Sequence, residues 1–179
     1  KDHLAALVDA VTFAPEPNPR VVVVQAIPKS ERAELAVDLA TQAGADEIIA
    51  WQADRCVAKW DAKKAPKALA KWEAAAIAAA KQSRRDRIPA VSGPLTTPQV
   101  AQLIAGQTAY VLHEEATASI KDVPLEGTVY LLVGPEGGIG AEELERLGAQ
   151  SIKLGPEVLR TASAAMVALA AIGTRTDRW

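Results

Sequence analysis

The sequence is poor in aromatic residues, at 4%, and holds a single cysteine, Cys56. One cysteine excludes an intrachain disulfide and fits a reducing, cytoplasmic location. No apolar run reaches membrane-spanning length and no secretory signal pattern opens the chain, so no membrane partner is expected. No metal site is expected either. The chain has no G-x-G-x-x-G after its first strand and no glycine-rich loop ending in Gly-Lys-Ser/Thr, which excludes the usual dinucleotide and P-loop fingerprints. An excess of positive charge is also missing. The net charge is −2 with a pI near 5.8, against a uniformly basic nucleic-acid binder.

What is present is a 179-residue chain that is 49% hydrophobic, enough for one domain with a real core. Alanine is abundant, which favours helices and close packing. Charge is unevenly distributed. From Arg55 to Arg87, ten Lys/Arg face three acids, a local +7 that leaves −9 elsewhere. That asymmetry predicts one basic face on an acidic body; a merely solvated helix face is the alternative.

The chain is organised around residues 128–147. The β-branched run Thr128 to Val133 stops at Gly134-Pro135-Glu136-Gly137-Gly138-Ile139-Gly140, and Ala141 to Leu147 then reads as a short helix with acids in its first turn. Glycines in such a loop allow positive φ and close approach of a ligand to main-chain groups. A loop at the carboxyl end of a buried strand is where open α/β sheets bind ligands.

The rest of the chain alternates strand and helix. Lys1 to Arg20 reads as a remnant of helix or strand followed by a proline-rich linker, Ala14 to Pro19. Val21 to Ile27 is a buried strand, and Ser30 is a plausible N-cap for a helix with Leu35, Leu39 and Ala43 inward, stopping at Gly44. Glu47 to Trp51 is a second strand. A long helix from Ala65 to about Ser83 has a stripe of Leu69, Trp72, Ala76 and Ala80. Ile88 to Val91 is a short strand, and Thr97-Pro98 caps another helix. Ala109 to Leu112 and Ser151 to Leu154 are further strands, and Gly155-Pro156 opens a helix from Glu157 to about Ile172. The fold class is α/β, a mostly parallel sheet with helices on both faces.

In a parallel sheet three strand ends share one edge: Leu112-His113-Glu114, the glycine loop, and Leu154-Gly155 through Leu159-Arg160-Thr161. Together they make a pocket of main-chain groups with a few side chains. The glycine loop, followed about twenty residues later by Leu-Gly-Pro-x-Val-Leu-Arg-Thr, resembles the SPOUT-superfamily methyltransferases that modify ring nitrogen 3 of a uridine in small-subunit (16S) rRNA. Pro28-Lys29, Ala80 to Arg85 with Pro89, and Leu112-His113-Glu114 fall where that family has similar residues. Trp51, Arg55-Cys56 and Arg178-Trp179 look closest to its actinobacterial branch.

The resemblance implies a C-terminal trefoil knot that binds S-adenosylmethionine in a bent conformation, and a homodimer with the knot helix in its interface. It also implies an N-terminal RNA-binding barrel, absent here, that would attach at the proline linker. Residues 21–179 would be the methyltransferase domain. By position, Leu112, His113, Gly134, Pro135, Glu136, Gly137, Gly138, Ile139, Leu154, Gly155, Leu159 and Thr161 would hold the cofactor. Arg160 would stabilise an anionic uracil oxygen or hold a phosphate. Its alternative is a structural salt bridge. Glu114 or Glu136 would accept a proton, hydrogen-bond the cofactor or cap the loop. His113 is an oriented polar residue or a base. Lys81, Arg84 and Arg85 would meet RNA phosphates. The chain departs from the family where acids are usual, near Gln42 and Ala78, and at Ala162-Ser163-Ala164. A non-catalytic knotted module that holds S-adenosylmethionine or RNA is the competing reading, and a nucleotide-binding transferase with a conventional sheet is a third.

Overall fold

Six parallel strands form one sheet in the order β3-β2-β1-β5-β4-β6 in a computed structural model, which describes residues 3–29 and 32–179. Residues 3–19 carry neither helix nor strand. Ser30, the expected cap, lies outside the described residues.

Strand β1 (Arg20–Ala26) is central and almost wholly buried, as expected for valines covered on both sides. It pairs with β2 (Glu47–Gln52) on one side and β5 (Thr128–Val133) on the other, with Val24 opposite both Ile49 and Leu132. Strand β3 (Ala90–Thr96) lies outside β2, and β4 (Thr108–Leu112) and β6 (Gln150–Ile152) extend the other side. The winding reverses between β1 and β5. In open parallel sheets the crevice at such a reversal is the usual place for a ligand.

Helices α1 (Ala33–Gln42), α2 (Ala65–Gln82) and α5 (Thr161–Arg175) form one packed group. Helices α3 (Thr97–Ile104) and α4 (Ala141–Leu147) form another. The crossovers run in opposite directions on the two sides of β1, and right-handed crossovers therefore put these groups on opposite faces.

Several sequence expectations shift. In α1 the buried face is Ala33, Ala36, Val37 and Ala40, while Leu35 is exposed, because the helix packs its small residues against α2 and α5. Thr96, not Thr97, sits at the N-cap of α3, and its N–H donates to Gln99 Oε1 at 2.8 Å. Thr97 is buried, and its hydroxyl serves the interior. The last helix starts at Thr161 rather than Glu157. Arg160 is extended, at φ −72° and ψ 145°, and Gly155 to Leu159 stay non-helical.

The amino edge of the sheet is tied by arginines. Asp46 accepts the Val21 N–H at 2.7 Å and Arg178 Nη1 at 2.8 Å, with Arg85 Nη2 at 3.9 Å. Arg178 also reaches the carbonyls of Pro19 and Gly44. The following Trp179 lies against Gly173, where any Cβ would come within 2.6 Å of the indole.

Candidate active site

At the carboxyl edge, beside the winding reversal, lies a cavity of about 320 Å³. Its wall is built by three loops: Leu112 to Glu114 after β4, Val133 to Gly138 with Ile139 after β5, and Ile152 to Thr161 after β6. Leu112, Val133, Ile139, Ile152, Leu154 and Leu159 make part of the wall apolar. Every expected cofactor residue except Gly137 lies on it, as do Arg160 and Glu114.

The glycine loop is braced from two sides. On one side, Glu136 Oε1 accepts the Lys29 N–H at 3.1 Å, so this carboxylate caps the end of β1. On the other, Arg55 Nη1 donates to the Gly137 carbonyl at 3.2 Å. A Cβ at Gly137 would lie 3.2 Å from Arg55 Cβ, and one at Gly140 3.0 Å from Arg55 Nη2. These two glycines make room for Arg55 rather than for a ligand. Gly138 has φ +70° and closes a turn by donating to the Pro135 carbonyl at 2.9 Å. Gly134 faces Ile139, whose Cγ1 would be 2.7 Å from an added Cβ.

Helix α4 is pinned behind this loop by Glu143, which is 2% exposed. Its Oε1 accepts the Asp54 N–H at 2.9 Å and the Thr97 hydroxyl at 2.6 Å. Thr97 Oγ1 in turn accepts Trp51 Nε1–H at 3.1 Å. The second carboxylate oxygen is buried without a partner among the described residues.

The run after β6 has a different character. Among the described residues, no main-chain N–H or carbonyl from Leu154 to Leu159 joins a backbone–backbone hydrogen bond. The stretch is largely exposed, so its main-chain donors and acceptors are free for water or for a ligand in the cavity. Helix α5 begins there, and its amino end directs a partial positive charge toward anionic groups. Arg160, exposed at the N-cap, forms no ion pair among the described residues, so the structural salt-bridge reading has no partner here. His113 Nδ1 accepts the Glu115 N–H at 3.3 Å, which orients the ring.

Sequence reasoning missed Arg32 and Lys153, both on the wall, and gave Glu157 no role within its segment. Arg32 follows the carboxyl end of β1 and so had a positional signal; the others lie inside the segment read as strand and helix.

The basic segment does not form one face. Helix α2 carries the chain from the carboxyl edge of β2 to the amino edge of β3, so Lys81, Arg84 and Arg85 lie across the sheet from the cavity. Arg85 points inward, donating to the Thr41 and Ala45 carbonyls at 2.9 and 2.7 Å. Burial pulls its guanidinium pKa below the usual value, while Asp46 opposes that shift. Its guanidinium is already engaged within the fold. Cys56 is buried, and burial pushes its thiol pKa up, which makes it a poor nucleophile.

Residues 15–173 match the model of a family described as the RNA methyltransferase domain. The chain belongs to this family. A ribosomal RNA small subunit methyltransferase E from Mycobacterium tuberculosis is 53% identical over 175 residues, covering 92% of this chain and 67% of the relative. The Bacillus subtilis protein of the same name is 32% identical, covering 99% of this chain and 75% of its own length. Two structural neighbours have been solved with cofactor. A Legionella pneumophila methyltransferase in complex with SAM superposes with a TM-score of 0.82 at 30% identity, covering 88% of this chain and 66% of the other. The Neisseria gonorrhoeae small subunit methyltransferase E bound to S-adenosyl methionine gives 0.80 at 25% identity, again with 88% and 66% covered. The chain therefore spans about two thirds of the length of these relatives and neighbours.

Proposed function

We propose that this chain is the catalytic domain of an S-adenosylmethionine-dependent methyltransferase that modifies ring nitrogen 3 of a uridine in 16S rRNA. The observation that carries this reading is the cavity at the winding reversal, walled by the unpaired main-chain run from Leu154 to Leu159. The relatives and the cofactor-bound neighbours agree with it.

The residues present fit the cofactor. Apolar side chains suit its adenine, peptide groups suit base and ribose, and the amino end of α5 suits a carboxylate. When bound, S-adenosylmethionine supplies a methyl group activated on sulfonium. The acceptor nitrogen loses its proton as the new N–C bond forms, and charge spreads to the uracil oxygens. Arg160, on the cavity wall, is the proposed group to hold that charge. Glu114, exposed on the wall, is the candidate proton acceptor. Glu136 is already engaged by the Lys29 N–H and serves the loop. With positioning and electrostatics supplied, the reaction asks little more of the protein.

A trefoil knot and a homodimer belong to the same proposal. The Lys153 N–H donates to the Ala118 carbonyl and the Ile120 N–H to the Lys153 carbonyl, both within 3.0 Å, so the β4–β5 connection embraces the chain leaving β6. Such an embrace supports the knot. Exposed Met166 and Val167 on α5, with Val158 just before it, support a partner subunit. Cytoplasmic location follows from the substrate.

Mass spectrometry of 16S rRNA after incubation with the intact protein and labelled S-adenosylmethionine tests the proposal. A methyl group on a uridine base is expected. Cofactor binding without methyl transfer would leave a non-catalytic module.

A further inference from the structure

The structure divides the basic segment between the two edges of the sheet, and the half beside the cavity holds a run of unpaired charge. From Arg55 to Lys71 there are six basic residues against one acid, Asp61, a local +5. This stretch leaves the carboxyl end of β2, on the edge that holds the cavity. Arg55 touches the glycine loop itself. Lys59, Lys63 and Lys67 are exposed and form no ion pair among the described residues. Lys64 reaches Asp61 at only 3.9 Å.

The backbone that carries these lysines is held in shape. Gln52 accepts the Trp60 N–H at 2.9 Å and donates to the Ala58 carbonyl at 3.0 Å. Asp61 Oδ1 accepts the N–H groups of Lys63 and Lys64 at 3.0 and 2.9 Å. Trp60 packs edge-on against Trp72 of α2, with ring centroids 5.1 Å apart. A fixed backbone presenting exposed cations loses less on binding a polyanion than a floppy one. By contrast, Arg85 and Arg87 at the far edge are already occupied, by Thr41, Ala45 and Asp46 and by Glu16 and the Ala14 carbonyl.

We propose that the β2–α2 connection, through Lys59, Lys63 and Lys67, is an RNA-binding surface that grips backbone phosphates of the strand whose target base enters the cavity. This inference rests on the rRNA methyl transfer proposed above. Phosphate contacts act through counterion release, so each one steepens the salt dependence of binding.

The test is filter binding of a 16S rRNA transcript to the intact protein at several salt concentrations, beside calorimetric titration of S-adenosylmethionine. The triple variant Lys59→Ala/Lys63→Ala/Lys67→Ala should bind the transcript at least ~10-fold more weakly, with a salt slope flatter by about two units. Its cofactor affinity should stay unchanged, which also reports an intact fold. Replacing the same three lysines by arginine should preserve RNA affinity. Wild-type protein that methylates rRNA beside a triple variant with unaltered affinity and slope overturns this surface alone. Wild-type protein that transfers no methyl group overturns the proposed function instead.

Discussion

Arg55 donates a hydrogen bond to the carbonyl of Gly137, joining residues 82 apart in sequence. Through that contact the loop after β5 leans on the connection after β2. Gly137 and Gly140 leave room for Arg55, the first for its Cβ and backbone and the second for its guanidinium. Position 134 is different, because its neighbour is a side chain on the cavity wall.

Replacing Gly134 therefore tests the cofactor pocket. Gly134→Val would drive Ile139 into the cavity, and S-adenosylmethionine affinity should fall by ~10-fold or more, about 1.4 kcal/mol. Circular dichroism should stay native. Calorimetric titration checks both this variant and Gly137→Val, whose expected effect is displacement of Arg55 and a smaller loss.

Arg160→Ala should keep cofactor and RNA binding but lower single-turnover methylation by ~100-fold, the usual cost of removing a group that meets developing charge. A normal rate would return Arg160 to a surface role.

Glu143→Ala should destabilise the fold by about 1–3 kcal/mol, since it leaves the Asp54 N–H and the Thr97 hydroxyl without their acceptor. Thermal unfolding should fall by roughly 2–4 °C per kcal/mol for a chain of this size. Glu143→Gln keeps an acceptor and should cost less. An unshifted melting curve for the alanine variant would mean the contact carries no net stability.

Alkaline stability should report Cys56. Burial raises its folded-state pKa above the ordinary thiol value of 9.0, so the folded state holds its proton longer than the unfolded state does. The associated stability is complete below that value and is lost as pH rises through the raised one. Tyr110, also raised by burial, acts in the same direction from 10.0 upward. Denaturant titrations at pH 8 to 10 should show a shallower pH slope for Cys56→Ser than for the wild type.

Light scattering at micromolar concentration should give a dimer. Met166→Glu, on the exposed side of α5, should shift it to monomer without altering the melting curve of the subunit at low concentration.

The sequence carried the central strands well, because β1 and β5 are apolar, β-branched-rich runs buried on both sides and bounded by glycine or proline. It carried the cavity by the same logic: loops that follow parallel strands share an edge. Two things were hidden. The start of α5 was misplaced because Gly155-Pro156 reads as a helix opening, whereas the chain stays extended until Arg160. The basic segment read as one patch because charge counting ignores that a crossover helix spans the sheet. Lys59 and Lys81 belong to one stretch of sequence and to opposite edges of the fold. Nor could composition show that Arg85 turns inward to the carbonyls before β2.

Beside the side chains of Leu154 and Leu159, the wall from Leu154 to Leu159 offers peptide groups. Every amino acid except proline carries the same pair, so no single replacement there deletes a contact outright. What such a segment must keep is the path of its backbone, which Gly155 and Pro156 help to set. A pocket of this kind tolerates divergence that would disable one built from a few indispensable side chains.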